Sequence, residues 1–432
     1  MTTSVSASNS ASDAARWTDV TTVPQVPAWR RTAARAILTQ AFRRLPLSVV
    51  TAGGERLGQG GPLLRVHDPD AFVRRIADQG LIGFGESYMA REWDADDLVG
   101  VLTVLAGNAS TLVPAPLQRL RGLWAPRQPD AQRNTLNGSR TNIHRHYDLS
   151  NDLFKLFLDD TLTYSSALFE TLPAGWDDLP AAQHRKIDRL LDLARVGPGT
   201  HLLEIGTGWG ELAVRAAERG ARVRSVTLSA EQLALARRRV REAGLQSRVD
   251  IDLCDYRQVT GRYDAVVSVE MIEAVGAEYW PAYFRRLDAL TAPGGRIALQ
   301  AITMPHDRML ASAGTHTWIQ KYIFPGGLIP SVQAVQDTVT TRTGLRVAAC
   351  EGYGPHYAET LRLWRERFGE RADEVRQLGF DATFRRMWTF YLAYSEAGFR
   401  SRYLDVHQFL LTHADDTPAD DAPGAARNGA QR

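Results

Sequence analysis

Short apolar runs and amphipathic stretches alternate between residues 200 and 303. The apolar runs have the length of buried strands, and the stretches between them carry apolar residues at helical spacing. Strands that alternate with helices pair in parallel through right-handed crossovers. The pattern therefore predicts an α/β fold with a doubly wound sheet, whose five strands lie in "THLLEI", "ARVRSVTLS", "RVDIDLCD", "YDAVVSVEM" and "GRIALQAIT".

The pattern outside this block divides the chain into further parts. Polar, small-residue-rich ends predict disorder at 1–16 and 413–432. Mixed short strands and helices predict a smaller N-terminal α+β domain at 17–125, and a Pro-, Gln- and Arg-rich stretch predicts a linker at 126–140. The domain with the sheet then covers 141–412.

Two segments of that larger domain depart from the alternation. Residues 304–331 show little regular pattern, and we expect them above the carboxyl ends of the strands, where ligands bind in such sheets. Residues 358–412 are predicted to be helical.

Composition excludes several function classes. The 432 residues are 44% hydrophobic and carry a net charge of only +2, so no global basic field favours nucleic acid as a partner. The two cysteines, Cys254 and Cys350, lack metal-ligand spacing and fit a reducing cytoplasm. No secretory leader and no apolar run of transmembrane length is recognised, so a cytoplasmic location is predicted.

Local charge is less even than the total. Residues 28–50 carry five arginines, at 30, 31, 35, 43 and 44, among Ala, Ile, Leu and Phe. One interpretation is a basic amphipathic helix on an anionic membrane, which would place the protein at the inner face of the membrane. The other is a packed helix with a solvated arginine face.

A glycine-rich turn follows the first strand. Gly206, Gly208 and Gly210 have the spacing G-x-G-x-G, which favours S-adenosylmethionine (SAM) over a dinucleotide. Glu204 directly precedes the turn, and Asp255 and Tyr256 end the third strand, where they suit an adenine edge. The sequence therefore predicts a SAM-dependent methyltransferase, with a Rossmann-like sheet.

Longer motifs carry a resemblance to one family. The chain resembles the cyclopropane-fatty-acid synthases, which include the mycolic acid methyltransferases, over 67–412. The matching segments include "EIGTGWGELA", "VTLSAEQ", "VVSVEMIEAVG", "WIQKYIFPGGLIPS" and "PHYAETLRLWRERF". The resemblance implies a SAM-binding set formed by Tyr164, Ser165, Gly206, Thr207, Gly208, Gly210, Thr227, Leu228, Gln232, Asp255 and Tyr256.

The resemblance also implies a reaction. Members of the family transfer a methyl group to a cis double bond of an acyl chain, and a bound bicarbonate is thought to remove a proton from the resulting cation. The positions that would hold bicarbonate are Ser166, Glu273, Gln300, Ile302 and Tyr357. Ser166 and Gln300 stand where cyclopropane synthases carry Cys and His, so the titratable imidazole is absent.

Two carboxylates follow the fourth strand, Glu270 and Glu273. Glu273 matches the family's bicarbonate-orienting acid, although a helix cap is the alternative. Glu270 matches no family ligand, and we expect it to cap the following helix or to face solvent.

Several features, Gln300 among them, resemble the tuberculostearic acid methyltransferases. That implies an oleoyl-type phospholipid chain converted to a 10-methylene chain at the membrane surface, with a separate reductase completing the 10-methyl product. Cyclopropane formation on the same substrate stays open, as does methylation of a polar nitrogen or oxygen. A homodimer is left open, because the family often dimerises.

Overall fold

The computed structural model describes residues 16–109 and 150–415. The predicted linker and the domain boundaries beside it lie outside these ranges, as do nearly all of the two ends predicted to be disordered. Among the residues described, none of the helices combines the length and the apolar character that crossing a bilayer requires.

Residues 16–109 form a small α+β layer, and the predicted domain limits of 17–125 stay a prediction. Its strands, in the order β2-β1-β3-β4, are parallel only between β1 and β3. They are β1 (Ser48–Thr51), β2 (Arg56–Leu57), β3 (Leu63–Val66) and β4 (Trp93–Ala95). The helices are α1 (Thr18–Thr21), α2 (Ala28–Arg44), α3 (Pro69–Gln79), α4 (Leu81–Met89) and α5 (Leu98–Gly107).

Residues 150–415 contain a seven-stranded sheet. Its strands are β5 (His201–Ile205), β6 (Arg222–Thr227), β7 (Val249–Leu253), β8 (Tyr263–Val269), β9 (Thr291–Thr303), β10 (Leu345–Gly352) and β11 (Asp405–His413). The order is β10-β11-β9-β8-β5-β6-β7, with β5 to β9 parallel and β11 antiparallel to both of its neighbours. The five predicted strands are all present.

The helical expectation for 358–412 is wrong at its end. Residues 405–413 form β11, which pairs with β9 and with the unpredicted strand β10. Five consecutive residues of β11 are buried, so the strand lacks the alternation that marks a half-exposed strand.

Helices cover both faces of the sheet. They are α6 (Asn151–Phe157), α7 (Leu179–Leu193), α8 (Glu211–Glu218), α9 (Ala230–Glu242), α10 (Trp280–Leu290), α11 (His306–Ser312), α12 (Trp318–Tyr322), α13 (Val332–Arg342), α14 (Gly354–Glu370), α15 (Ala372–Gln377) and α16 (Ala382–Arg400). Because successive strand residues point to opposite faces, Leu202 and Val267 pack with α7 to α9, while Leu203 and Val266 pack with α10 and α13.

The N-terminal layer shares a core with α14 and α16. On α16, Arg386 donates from Nε to the Tyr88 carbonyl at 2.7 Å and from Nη2 to Asp94 at 2.8 Å. Phe84 stacks on Trp93 with ring centroids 4.7 Å apart. The small layer therefore packs on the helices that follow the sheet.

Candidate active site

The glycine turn joins β5 to α8. Gly206, Gly208 and Gly210 have φ values of 99°, 52° and 96°, a region that L side chains rarely adopt. The turn borders a cavity of about 180 Å³ at the carboxyl ends of β5, β6 and β8. The sheet reverses its strand order at β5, and the cavity is where such sheets bind ligands.

Nearly every residue predicted to bind SAM lines this cavity: Tyr164, Ser165, Glu204, Gly206, Thr207, Gly208, Thr227, Leu228, Gln232, Asp255 and Tyr256. Gly210 is not among the lining residues. A Cβ added there would lie 3.0 Å from the Cβ of Ala236, so Gly210 serves the close packing of α8 on α9.

Glu204 is a buried acid on the wall of the cavity. Its Oε2 accepts a hydrogen bond from the Ser225 hydroxyl at 2.5 Å. Burial raises the pKa of Glu204 to about 8, and the Ser225 bond opposes that rise. The side chain is therefore mainly neutral at pH 7.

The ends of β6 and β7 are ordered by local side-chain bonds. Thr227 donates from Oγ1 to Gln232 Oε1 at 2.9 Å, which places both side chains on the cavity wall. Arg257 donates to both carboxylate oxygens of Asp255, from Nε at 2.9 Å and from Nη2 at 2.7 Å. The predicted contact of Asp255 with adenine stays a prediction.

Lys186 is a cavity residue that sequence reasoning missed. It lies on the buried face of α7 beside Ile187, and its Nζ donates to Ser165 Oγ at 2.6 Å. Burial lowers the pKa of Lys186 to about 8, while the charges of Glu270 and Asp159 oppose the change. The sequence feature that could have identified Lys186 is a lysine at an apolar position of an amphipathic helix, because lysine is rarely buried without a partner.

Glu270 directly follows β8 and also lines the cavity. The amide of Ser166 and Nε2 of Gln300 donate to its Oε1, at 2.9 and 2.8 Å. The hydroxyl of Tyr357 donates to its Oε2 at 2.7 Å. The expectation that Glu270 caps a helix or faces solvent is therefore wrong, because its carboxylate collects three donors from distant segments.

A further network fixes the Gln300 amide. Tyr353 donates its hydroxyl hydrogen to Gln300 Oε1, and Gln408 on β11 donates from Nε2 to the same oxygen at 3.1 Å. With the amide oxygen so occupied, its nitrogen faces Glu270. Tyr353 and Gln408 were also missed, since only the folded sheet brings them to β9.

Glu273 lies beside this network and binds a different partner. Its Oε1 accepts from the amide of Ile302, and Leu328 from the 304–331 segment donates its amide hydrogen to the Glu273 carbonyl at 2.8 Å. Its Oε2 is buried and has no hydrogen-bond partner in the described part of the chain. Burial first, and the charge of Glu270 second, raise the pKa of Glu273 to about 8.

We call these two acids and the four residues that donate to them the acid corner: Ser166, Glu270, Glu273, Gln300, Ile302 and Tyr357. The five residues predicted to hold bicarbonate thus divide into two groups. Ser166, Gln300 and Tyr357 bind Glu270, while Ile302 binds Glu273. A bicarbonate ion does not fit these donors while Glu270 occupies them, because it would compete with a carboxylate of the same charge.

Sheet order, glycine turn and cavity define the class of the protein, a SAM-dependent methyltransferase with a Rossmann-like sheet. The chain belongs to the mycolic acid cyclopropane synthetase family, whose model matches residues 134–409. The family and the fold class predicted from the sequence are thereby confirmed.

Two relatives and one solved structure illustrate the relationship. The chain is 57% identical over 412 residues to the tuberculostearic acid methyltransferase UfaA1 of Mycobacterium tuberculosis, covering 93% of this chain and 96% of that protein. It is 31% identical over 375 residues to the cyclopropane-fatty-acyl-phospholipid synthase of Escherichia coli K12, covering 85% and 93%. The mycolic acid cyclopropane synthase CmaA1 with SAH and CTAB superposes with a TM-score of 0.58 at 31% identity, covering 66% and 98%.

Proposed function

We propose that this protein methylates the cis double bond of an oleoyl-type acyl chain in a phospholipid and so converts it to a 10-methylene chain. The observation that carries the proposal is that one cavity contains both the glycine turn and a carboxylate held by three hydrogen-bond donors, Glu270. An alkene methylation needs this pair, because it requires a methyl donor and then a proton acceptor in a site shielded from water. The 57% identity to a tuberculostearic acid methyltransferase supports the substrate class.

The residues of the cavity suit the methyl donor. Gly208 leaves open space where a Cβ would stand, and Glu204 presents a buried acid beside the turn. Thr227, Gln232, Asp255 and Tyr256 would hold the nucleoside end. When bound, SAM supplies an electrophilic methyl group.

The lipid then passes through a defined sequence of bond changes. The methyl group joins one alkene carbon, a hydride shift moves the positive charge onto that carbon, and the new methyl group loses a proton. If the proton leaves before the hydride shift, the ring of a cyclopropane forms instead. The family resemblance predicts bicarbonate as the proton acceptor, and an acid of this chain is the alternative.

Mass spectrometry of lipids from cells given oleate and deuteromethyl methionine tests the proposal. A methylene chain and a cyclopropane chain have the same mass, so the labelled chain is also examined by deuterium NMR for the olefinic signal of a =CD2 group. We expect exocyclic methylene signals in cells that express the protein and none in cells without it. A ring would support the second product, and label confined to a headgroup amine would refute alkene methylation.

A membrane contact through α2 is the second part of the proposal. Residues on a helix advance about 100° each, so the five arginines of α2 surround the helix rather than form the predicted single face. Arg31 and Arg35 lie 3.6 and 3.9 Å from Asp70, whereas Arg43 and Arg44 are exposed near the helix end. Trp29 is 71% exposed, and aromatic residues favour the membrane interface.

Charge reversal tests that contact. A basic residue near an anionic surface contributes about 1 kcal/mol, so Arg43→Glu with Arg44→Glu should weaken binding to anionic phospholipid vesicles by about tenfold or more. SAM affinity should not change. Undiminished vesicle binding would remove α2 from the proposal. The separate reductase and the homodimer stay predictions.

A further inference from the structure

We propose that the carboxylate of Glu270 stands in place of a bound anion and is itself the group that accepts the proton after methyl transfer. This inference rests on the proposed function. It differs from the expectation drawn from the family resemblance, in which a separate bicarbonate ion is the base.

The donor geometry is the first support. A carboxylate and a bicarbonate ion present the same planar O–C–O edge, and each oxygen accepts hydrogen bonds. Ser166, Gln300 and Tyr357 were predicted to hold the ion, and all three donate to the two oxygens of Glu270 within 2.9 Å. The side chain thus occupies the place that a small anion would take.

The backbone is the second support. Glu270 has φ of 51°, in the left-handed region that suits glycine. A residue with a Cβ loses roughly 1–2 kcal/mol there. Such strain persists where the surroundings hold it, and it concentrates at functional sites. The three donors, and the bond from its own amide to the Gln300 carbonyl at 2.7 Å, hold Glu270 in this conformation.

The charges around the carboxylate are the third support. Lys186 lies on the same cavity wall, and its positive charge favours the ionised form of Glu270. Burial raises the pKa of Glu270, while the bond from Tyr357 opposes that rise. Burial first, and the charge of Glu270 second, raise the pKa of Glu273 to about 8, which favours its neutral form. An added anion would bring a second charge into the same buried place.

The proton transfer balances without another reactant. After the hydride shift, a C–H bond of the new methyl group breaks and its electron pair forms the carbon–carbon double bond. The proton goes to a carboxylate oxygen of Glu270, which thereby becomes neutral. Glu270 returns the proton to water before the next turnover.

A merely structural role for Glu270 is the alternative, because its three bonds join four segments. Glu270→Gln keeps size and acceptor oxygen but cannot accept the proton. Glu270→Gly removes the backbone strain at this position and leaves the three hydrogen-bond donors without an acceptor, so a bicarbonate ion can bind to them. Glu273→Gln is the matched control, since an amide resembles the neutral acid that Glu273 already is.

The experiment measures turnover of oleoyl phospholipid vesicles in carbon-dioxide-free buffer and with added bicarbonate. The wild-type rate should be equal in the two buffers. Glu270→Gln should lower kcat by about 10²- to 10⁴-fold, the usual contribution of a general base, with unchanged SAM affinity by calorimetry. Glu270→Gly should be equally slow without bicarbonate and regain rate with it, whereas Glu270→Gln should not. Glu273→Gln should lose far less than Glu270→Gln.

A binding measurement separates this inference from the proposed function. Carbon-13 NMR should detect bound labelled bicarbonate with Glu270→Gly and none with the wild type, whether or not lipid is methylated. Wild-type turnover that requires bicarbonate, bicarbonate bound to the wild type, or a Glu270→Gln variant with full rate would each overturn the role of Glu270. A wild type that methylates no alkene would overturn the proposed function, and Glu270 could then be no base for it.

Discussion

The two ends of the cavity are held together in different ways. The cofactor half, formed by the glycine turn and the ends of β6 and β7, depends on backbone conformation and on bonds between residues close in sequence, such as Thr227 with Gln232. The acid corner depends on side chains from four distant segments that meet at Glu270. Changes in the cofactor half should therefore alter binding, and changes in the acid corner should alter turnover.

The largest difference should come from Tyr357→Phe in the acid corner. Phenylalanine keeps the packing on Phe399, whose ring centroid is 4.5 Å away, but loses the bond to Glu270. A hydrogen bond to a charged group contributes about 1.5–3 kcal/mol, so kcat should fall by about 10- to 100-fold. Because that bond lowers the pKa of Glu270, the acidic limb of the pH profile of kcat should move to higher pH.

Tyr353→Phe is the control, since Tyr353 contacts Gln300 and not Glu270. Its effect should be smaller and should leave the acidic limb nearer the wild-type position. A Tyr357→Phe variant with altered SAM affinity and unaltered kcat would contradict the division between the two ends.

Gly206→Ala should give the next largest effect, on binding. Alanine is strained at φ of 99°, and its Cβ would lie 2.9 Å from Cγ of Met271, which lines the cavity. Strain of roughly 1–2 kcal/mol should weaken SAM binding by about tenfold, as measured by calorimetry, with a smaller change in kcat at saturating SAM.

Gly199→Ala separates backbone strain from cavity geometry. Gly199 has φ of 82° and no atom near the position of a Cβ, and it does not line the cavity. The Gly199→Ala substitution should lower the melting temperature of the protein without changing its affinity for SAM. If Gly206→Ala and Gly199→Ala weakened SAM binding equally, the glycine turn would affect binding only through the stability of the protein.

The same division explains what the sequence could predict. A glycine turn between a strand and a helix is local, so its residues were recognised before the fold was known, and only Gly210 proved to serve packing. The role of Glu270 was not recognisable, because Ser166, Gln300 and Tyr357 reach it only after β8, β9 and α14 have assembled. The role of Lys186 could not be predicted for a similar reason. A lysine on the apolar face of a helix can be assigned a role only when the residue that it contacts is known.

Burial raises the pKa of two acids to about 8, Glu204 in the cofactor half and Glu273 in the acid corner, and these acids give the smallest expected effect. SAM is a cation with ribose hydroxyls to donate, so its binding favours the ionised form of the acid beside it. Glu204 should therefore release part of a proton when SAM binds at pH 7, and affinity should rise with pH until about 8. Calorimetry in buffers of different ionisation enthalpy measures that proton. Glu204→Gln should abolish the release and Glu273→Gln should retain it; if Glu273→Gln abolishes it instead, the methyl donor lies against the acid corner rather than the cofactor half.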